Sequence, residues 1–262
     1  MSGEVDLTNA AGEPAVLTEQ RGRVLVITLN RPEAKNAING ALSHGLAAAI
    51  EQLDTDPGLT AAVLTGADGA FSSGMDLKAF ARGEDIGPFG KFIRTGSQKP
   101  LIGAVEGFAI AGGLEMALTC DLLIAAKGAK LGIREVKVGL FAAGGGVFRL
   151  PSRVGYSKAM EMALTGDNIT AEEAAELGMV TELAEPGSAV DVAIALAERI
   201  AKNAPLAVAA SKQLVRAASQ GVAEDELWEM QNPLMAKVFA SNDAKEGPAA
   251  FAEKREPNWT GT

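Results

Sequence analysis

Residues 100–126 read PLIGAVEGFAIAGGLEMALTCDLLIAA. The apolar run behind Pro100 predicts a buried strand through KPLIGAVEG (99–107). FAIAGGLEMALTC opens with the pair Gly112-Gly113 and continues as a predicted helix, with the glycines permitting a close backbone approach. DLLIAA (121–126) and AKLGI (129–133) predict further strands. Strands and a helix joined this tightly indicate an α/β or α+β sheet protein.

The pattern extends outward on both sides. VLVITL (24–29) and TAAVLTG (60–66) read as strands, with an Ala/Leu-patterned helix over 41–54 between them. Residues 1–14 read as a mobile polar lead-in, and the Gly-rich segment 81–90 as a mobile loop. REVKVGLFAAGGGVFRL (134–150) reads as a long loop with three consecutive glycines. Beyond Pro151 the sequence turns mainly helical. One helix is expected from a Ser152 cap to a Gly166 stop, and another behind the capping box Thr170–Glu173. A short strand is expected at MVTEL (179–183), then helices over 188–203, 205–220, 223–240 and 243–255. No repeat of fixed period is visible.

Composition narrows the function classes. The 262 residues carry 33 acidic and 24 basic side chains, a net charge of −9, which disfavours a phosphate-backbone binder. Nine Phe, two Trp and one Tyr are few for a base-stacking platform. The single histidine, His44, excludes two-histidine metal sites, and the single cysteine, Cys120, excludes an intrachain disulfide and a cysteine metal cluster. No secretory signal and no uninterrupted membrane span is read, so a soluble cytoplasmic protein with no nucleic-acid or membrane partner is expected.

Two carboxylates stand out. Glu115 falls in the first turn of the predicted apolar helix, beside backbone N–H groups that would stabilise a developing negative oxygen. The plainer reading is an acid placed there to meet the helix dipole. Glu135 follows a strand and precedes the Gly-rich loop, where function often sits; the plainer reading is a solvated acid paired with Arg134 or Lys137. In FSSGMD (71–76) the Met75 N–H is a candidate second oxyanion donor, against an ordinary loop-to-helix junction opened by Asp76. AAGGGVF (142–148) has the composition of a phosphate cradle but matches neither G-x-x-x-x-G-K-[ST] nor G-x-G-x-x-G.

At LNRPEAKNA, FSSGMDLKAF, PLIGAVEGFAIAGGLEMALTCDLLIAA, LGIREVKVGLFAAGGGVFRL, MALTGDNITAEEAAELGMV and SNDAKEGPAAFAEKREPNW the chain resembles the crotonase superfamily, specifically enoyl-CoA hydratases. The resemblance spans roughly residues 15–260 in order. It implies a crotonase-like β-β-α spiral core, the fold shared by ClpP and crotonase, over residues 1–200, and a C-terminal helical trimerisation region over 201–262. It implies a homotrimer or homohexamer. It implies that Gly112 and Met75 supply the oxyanion-hole N–H pair and that Glu115 and Glu135 are the two catalytic acids. Lys78, Phe251 and Lys254, and less directly Lys35, would contact coenzyme A, with Phe251 and Lys254 reaching a neighbouring subunit.

The activity implied is addition of water across the 2,3 double bond of a 2-enoyl-CoA, with coenzyme A as part of the substrate and no metal, flavin or nicotinamide. Three other readings accompany it: an enoyl-CoA isomerase, a carnitinyl-CoA dehydratase-like enzyme, and a non-catalytic acyl-CoA-binding protein. Two departures from the family pattern are visible. Arg134 stands where many hydratases have proline, and its guanidinium is expected either to lower the Glu135 pKa or to reshape the acyl pocket. Ala111 stands at the first position of a longer glycine run.

Overall fold

The computed structural model describes residues 6–262, so of the expected polar lead-in residues 1–5 lie outside the described residues. A six-stranded sheet in the order β1-β2-β3-β4-β6-β9 forms the floor of the fold. Its strands are β1 (Val16–Arg21), β2 (Val24–Leu29), β3 (Ala61–Gly66), β4 (Leu101–Val105), β6 (Leu122–Ala126) and β9 (Glu182–Ala184). β1 pairs antiparallel with β2, and every other pairing is parallel.

Parallel strands are covered on both faces, and the sequence shows it as unbroken apolar runs. The pleat then divides each run between two cores. Val24, Val26, Ala61, Val63, Ile102, Ala104, Ile124 and Ala126 face a core completed by Ala193, Ile194 and Ala197 of α8 (Ala189–Ala201). The alternate residues, Leu25, Ile27, Leu29, Ala62, Leu64, Leu101, Val105, Leu123 and Ala125, join the larger core on the opposite face, with residues of α1 (Gly40–Thr55), α3 (Gly87–Thr95) and α4 (Gly112–Thr119).

A second sheet, β5-β7-β8, has three short strands: β5 (Phe108–Ile110), β7 (Lys130–Gly132) and β8 (Ile169–Thr170). β4 enters the large sheet and β5 the small one; α4 follows; β6 and β7 repeat the move. This β-β-α winding is the spiral of the crotonase fold.

Several elements differ from the sequence expectation. Residues 6–14 are ordered by an Asn9 turn and by Asn30 and Ala15, which donate to Pro14 and Leu7 carbonyls respectively. The segment expected to be a mobile loop, 81–90, runs into the first turn of α3, which holds Pro88 and the buried Phe89 and continues through the buried Phe92 and Ile93. FAI is strand β5 rather than the opening of a helix. The expected single helix over 152–166 is two: α5 (Gly146–Val154), which runs through Pro151, and α6 (Tyr156–Thr165), separated at Gly155 with φ +76°. Ser152 caps nothing; its hydroxyl donates to the Arg149 carbonyl within α5. The capping box holds on one side, with Thr170 Oγ1 accepting from Glu173 N at the start of α7 (Ala171–Glu176).

The chain ends in α9 (Pro205–Ser219), α10 (Glu224–Ala240) and α11 (Asn242–Glu253). No residue of α10 is buried, and Trp228, Met235 and Phe239 stand exposed on it. No helix among the described residues is long and apolar enough to cross a membrane.

Candidate active site

Two backbone segments meet at Met75 and Gly112. Asn36, fully buried with φ +53°, uses its side-chain amide to bond the carbonyls of Ala67 and Ala70, and its own carbonyl accepts from Ser72 Oγ. Ser73 N donates to Lys35 O, Ile38 N to Gly74 O, and Asp76 N to Ile38 O. These bonds hold segment 72–76 against 35–38 on one side, while Ser72 bridges Ala109 of β5 on the other. Asp76 then caps the short helix α2 (Leu77–Ala81) and pairs with Arg31 at 3.2 Å.

Gly74, with φ +93°, lets the segments close: a Cβ there would lie 2.8 Å from Ala111 Cβ and 2.9 Å from Gly112 N. A Cβ on Gly112 would in turn sit 3.6 Å from Met75 N, which puts the two N–H groups side by side. Gly112 is the first residue of α4, where an N–H has no intrahelical acceptor. Neither Gly112 N nor Met75 N donates a hydrogen bond among the described residues. Both N–H groups are therefore without an acceptor among the described residues.

Glu115 lies in the first turn of α4, a helix whose eight residues are all buried. Its side chain is 5% exposed, and Oε1 accepts from Gly146 N at 2.9 Å. The triple-glycine loop closes around this carboxylate: a Cβ on Gly144 would lie 2.5 Å from Glu115 Oε2, and one on Gly146 would lie 3.2 Å from Glu115 Cγ. AAGGGVF is therefore a cradle for the protein's own carboxyl group and leaves no room there for a phosphate. Burial raises the Glu115 pKa to about 7; the Glu135 charge adds to the rise, and the Gly146 and Gly144 N–H groups and Arg149 oppose it.

Glu135 begins a 3-10 turn, Glu135–Val138, in which no residue is buried, yet its own carboxyl group points inward. Oε2 is buried and has no hydrogen-bond partner. Burial raises its pKa, against the backbone N–H groups of Glu135 and Arg134. The expected lowering by Arg134 is thus overturned: the Arg134 charge acts on Asp167, and desolvation governs Glu135.

Met75, Gly112, Glu115 and Glu135 all line one cavity of about 1880 Å³. Lys35 and Lys78 are exposed on the two segments that frame Met75, outside the cavity lining. Phe251, 87% exposed, and Lys254 sit at the end of α11 and do not line the cavity of their own chain.

Arg149 escapes a sequence reading and is central here. Its Nη1 donates to Thr119 Oγ1 at 3.0 Å and to Gly144 O, and its Nη2 to Ile93 O, the last turn of α3. Thr119 Oγ1 donates to Glu115 O at 2.9 Å. One guanidinium therefore ties α3, α4 and the glycine loop around Glu115. Its only sequence signal is a cation four residues after Gly145 on a short helix.

A model of the Enoyl-CoA hydratase/isomerase family matches residues 19–262. The crystal structure of an enoyl-CoA hydratase from Mycobacterium tuberculosis is 57% identical, with a TM-score of 0.92 over 95% of this chain and 100% of that one. A further enoyl-CoA hydratase of M. tuberculosis is 40% identical over 94% of this chain and 96% of that protein. A carnitinyl-CoA dehydratase of Salmonella paratyphi B is 39% identical over 92% of this chain and 97% of that protein. With the spiral fold, the free N–H pair and two buried carboxyl groups in one cavity, these likenesses place the chain in the enoyl-CoA hydratase/isomerase family, as a crotonase-type enzyme acting on acyl-CoA.

Proposed function

We propose that the protein hydrates 2-enoyl-CoA thioesters. The observation that carries this reading is the pair of desolvated carboxyl groups, Glu115 and Glu135, in the same cavity as the unpartnered N–H groups of Met75 and Gly112. The thioester oxygen binds between those two N–H groups. As water adds at C3, charge accumulates on that oxygen, and each donor contributes about 3–4 kcal/mol to stabilising it. Glu115 takes a proton from the water while its oxygen attacks C3. Glu135, protonated, delivers a proton to C2, and the two acids exchange protons with solvent to return to their starting state. Both carboxyl groups hold the water between them, so orientation adds to proton transfer.

Coenzyme A is an anion on an acidic protein, so Lys35 and Lys78 are its local counter-charges on this chain. Phe251 and Lys254 contact it from a neighbouring subunit of a trimer or hexamer. The unburied face of α10 supports such an assembly, since Trp228 and Phe239 need a cover. Dehydration of a 3-hydroxyacyl-CoA is the microscopic reverse on the same groups, which accommodates the likeness to a carnitinyl-CoA dehydratase.

The test is the loss of enoyl absorbance with crotonyl-CoA and 2-decenoyl-CoA, for wild type, Glu115→Gln and Glu135→Gln. Hydration lost in both variants is the expected result. A Glu115→Gln variant that still moves a 3-enoyl double bond at nearly the wild-type rate would favour an isomerase working through Glu135 alone. Thioester binding by a folded wild type without any turnover would overturn the enzyme reading.

A further inference from the structure

The cavity that holds Glu115 and Glu135 carries a charge excess opposite in sign to that of the chain. Six cations line it, Arg94, Arg134, Arg149, Arg153, Lys212 and Arg216, against three acids, Glu115, Asp121 and Glu135. Burial raises the pKa of both glutamates, which takes away part of their negative charge. The whole chain has a net charge of −9, so the excess is a local arrangement and not a reflection of composition. Among the described residues, one of the six cations is paired with a carboxylate of the cavity: Lys212, with Asp121 at 2.7 Å.

Four of these cations meet where α3 and α4 end. Arg149 bonds Ile93 O and Thr119 Oγ1, Arg153 donates to Cys120 O, Arg216 donates to Thr95 O, and Lys212 reaches Asp121 just beyond α4. The plainer reading is that they cap two helix C-termini, where carbonyls and the dipole attract cations. Capping leaves most of their donors unused. A guanidinium has five N–H donors, and Arg153 and Arg216 each spend one on the protein. Arg94, in the last turn of α3, donates to nothing among the described residues. Burial lowers the Arg149 pKa, and the charges of Arg216 and Arg153 add to the fall, so these guanidiniums stand close enough to repel one another. An anion between them relieves that repulsion. The protein's own acid there does not serve, because Asp121 Oδ2 is taken by Lys212 and by the Leu101 N–H. The eight residues of α4 put about 12 Å between the Gly112 N–H and this cluster, the reach of an extended acyl chain of about ten carbons.

We propose that the enzyme selects acyl groups that end in a carboxylate, held by Arg94, Arg153 and Arg216 where α3 and α4 end. The proposal rests on the acyl-CoA reading of the site and names its substrate class. An apolar acyl end would leave the cluster uncompensated, and a trimethylammonium end would add to its charge. The phosphates of coenzyme A are the other anions of the substrate, with Lys35 and Lys78 outside this cavity as their counter-charges, and the test separates the two sources.

The test compares 2-decenedioyl-CoA with its ω-methyl ester, with 2-decenoyl-CoA, with crotonyl-CoA and with an enoyl-CoA of the same length ending in trimethylammonium. The wild type is expected to favour the diacid over the ester and over 2-decenoyl-CoA about 10–100-fold in kcat/KM. Arg94→Met and Arg216→Met should each lower kcat/KM for the diacid about tenfold, mainly through KM. Both should leave turnover of crotonyl-CoA, too short to reach them, unchanged. Arg94 is exposed, so its replacement spares the fold, and Arg94→Lys should restore much of the loss. Equal use of the diacid and its ester, preference for the apolar or the cationic chain, or an equal loss on every substrate would overturn the proposal. Calorimetric titration with decanedioyl-CoA, decanoyl-CoA and coenzyme A gives the same comparison without turnover. Weaker binding of coenzyme A alone by the two variants would assign the guanidiniums to its phosphates and overturn the proposal too. Failure of hydration altogether would strike the proposed reaction, and this binding series would still decide the acyl end group.

Discussion

The two acids sit in contrasting regions. Around Glu115 the backbone is closed: α4 is buried end to end, the glycine loop contacts the carboxyl group, and Arg149 ties three elements together. Around Glu135 the 3-10 turn has no buried residue, and Val138, Leu140 and Phe141 nearby are more than half exposed. One acid is fixed by packing, and the other hangs from a surface turn with only its carboxyl group desolvated. The difference teaches that pKa rises of the same direction, both caused by burial, arise from different degrees of rigidity. Substitutions near Glu115 should therefore act through geometry, and those near Glu135 through solvation.

The largest expected effect breaks the closed region directly. Gly144→Ala places a methyl group 2.5 Å from Glu115 Oε2, closer than any real contact, so the carboxyl group or the loop must move. We expect kcat to fall about a hundredfold, as for a misplaced catalytic group, with the circular dichroism spectrum unchanged. At the next level, Glu115→Gln and Glu135→Gln should each lower kcat by about 10²–10⁴. If the contrast is real, a shorter acid discriminates: Glu135→Asp should retain more activity than Glu115→Asp, because the surface turn can adjust.

The pH dependence sharpens the same contrast. A base with a pKa of about 7 is ionised only above that value, so kcat/KM should fall as the pH drops through about 7. Stability runs the other way. The folded-state pKa of Glu115 is raised from 4.5, so folding favours the protonated acid. That contribution is complete below the unfolded value and is lost as the pH rises through about 7. Glu115→Gln keeps the neutral form at every pH. Denaturant titration should find it more stable than wild type near pH 8, by about 3 kcal/mol, and equal to it near pH 4. A variant that matches the wild type in stability at both pH values would show that Glu115 is not desolvated.

Arg149→Met tests the tie itself. Removing the guanidinium leaves Ile93 O and Thr119 Oγ1 without their donor and removes a positive charge that opposes the rise in the Glu115 pKa. The acid limb of the kcat/KM profile should move to higher pH, with a loss of about 2 kcal/mol in stability. Arg149→Lys should restore the limb more than the stability.

Much of this fold is legible in sequence because its signals are local. The β-branched run of β2, the Ala/Leu pattern of α1 and the Thr170 cap each report a structure made within a few residues. β1 escapes detection because its residues are mostly exposed and show no alternation to read. α5 escapes because Pro151 reads as a boundary, yet the helix tolerates it and breaks at Gly155 instead. The site divides in the same way. Glu115 beside a glycine pair is a local pattern. The bond from Gly146 N to Glu115 Oε1 joins positions 31 apart in sequence, and nothing in either neighbourhood announces it. The engagement of Ile93 O by Arg149 spans 56 positions.

The smallest expected effect concerns how the closed region is held. Ala111 carries φ +52° and ψ −131°, a conformation in which glycine is favoured over any L side chain. It is over-determined by its neighbours: Ala111 N donates to Gly132 O at 2.8 Å, and Ala111 O accepts from Leu114 N and Glu115 N. The bend starts α4 at Gly112, whose N–H is one of the two donors proposed for the thioester oxygen. Ala111→Gly relieves the strain, worth about 1–3 kcal/mol, and gives back about 0.4–1 kcal/mol through a freer unfolded chain. A net gain of about 1 kcal/mol is expected in denaturant unfolding, with kcat within about twofold of wild type if the surrounding bonds alone keep Gly112 in place. A stabler variant with much lower kcat would show instead that the Ala111 methyl group, packed toward Gly74, keeps the two N–H donors in register.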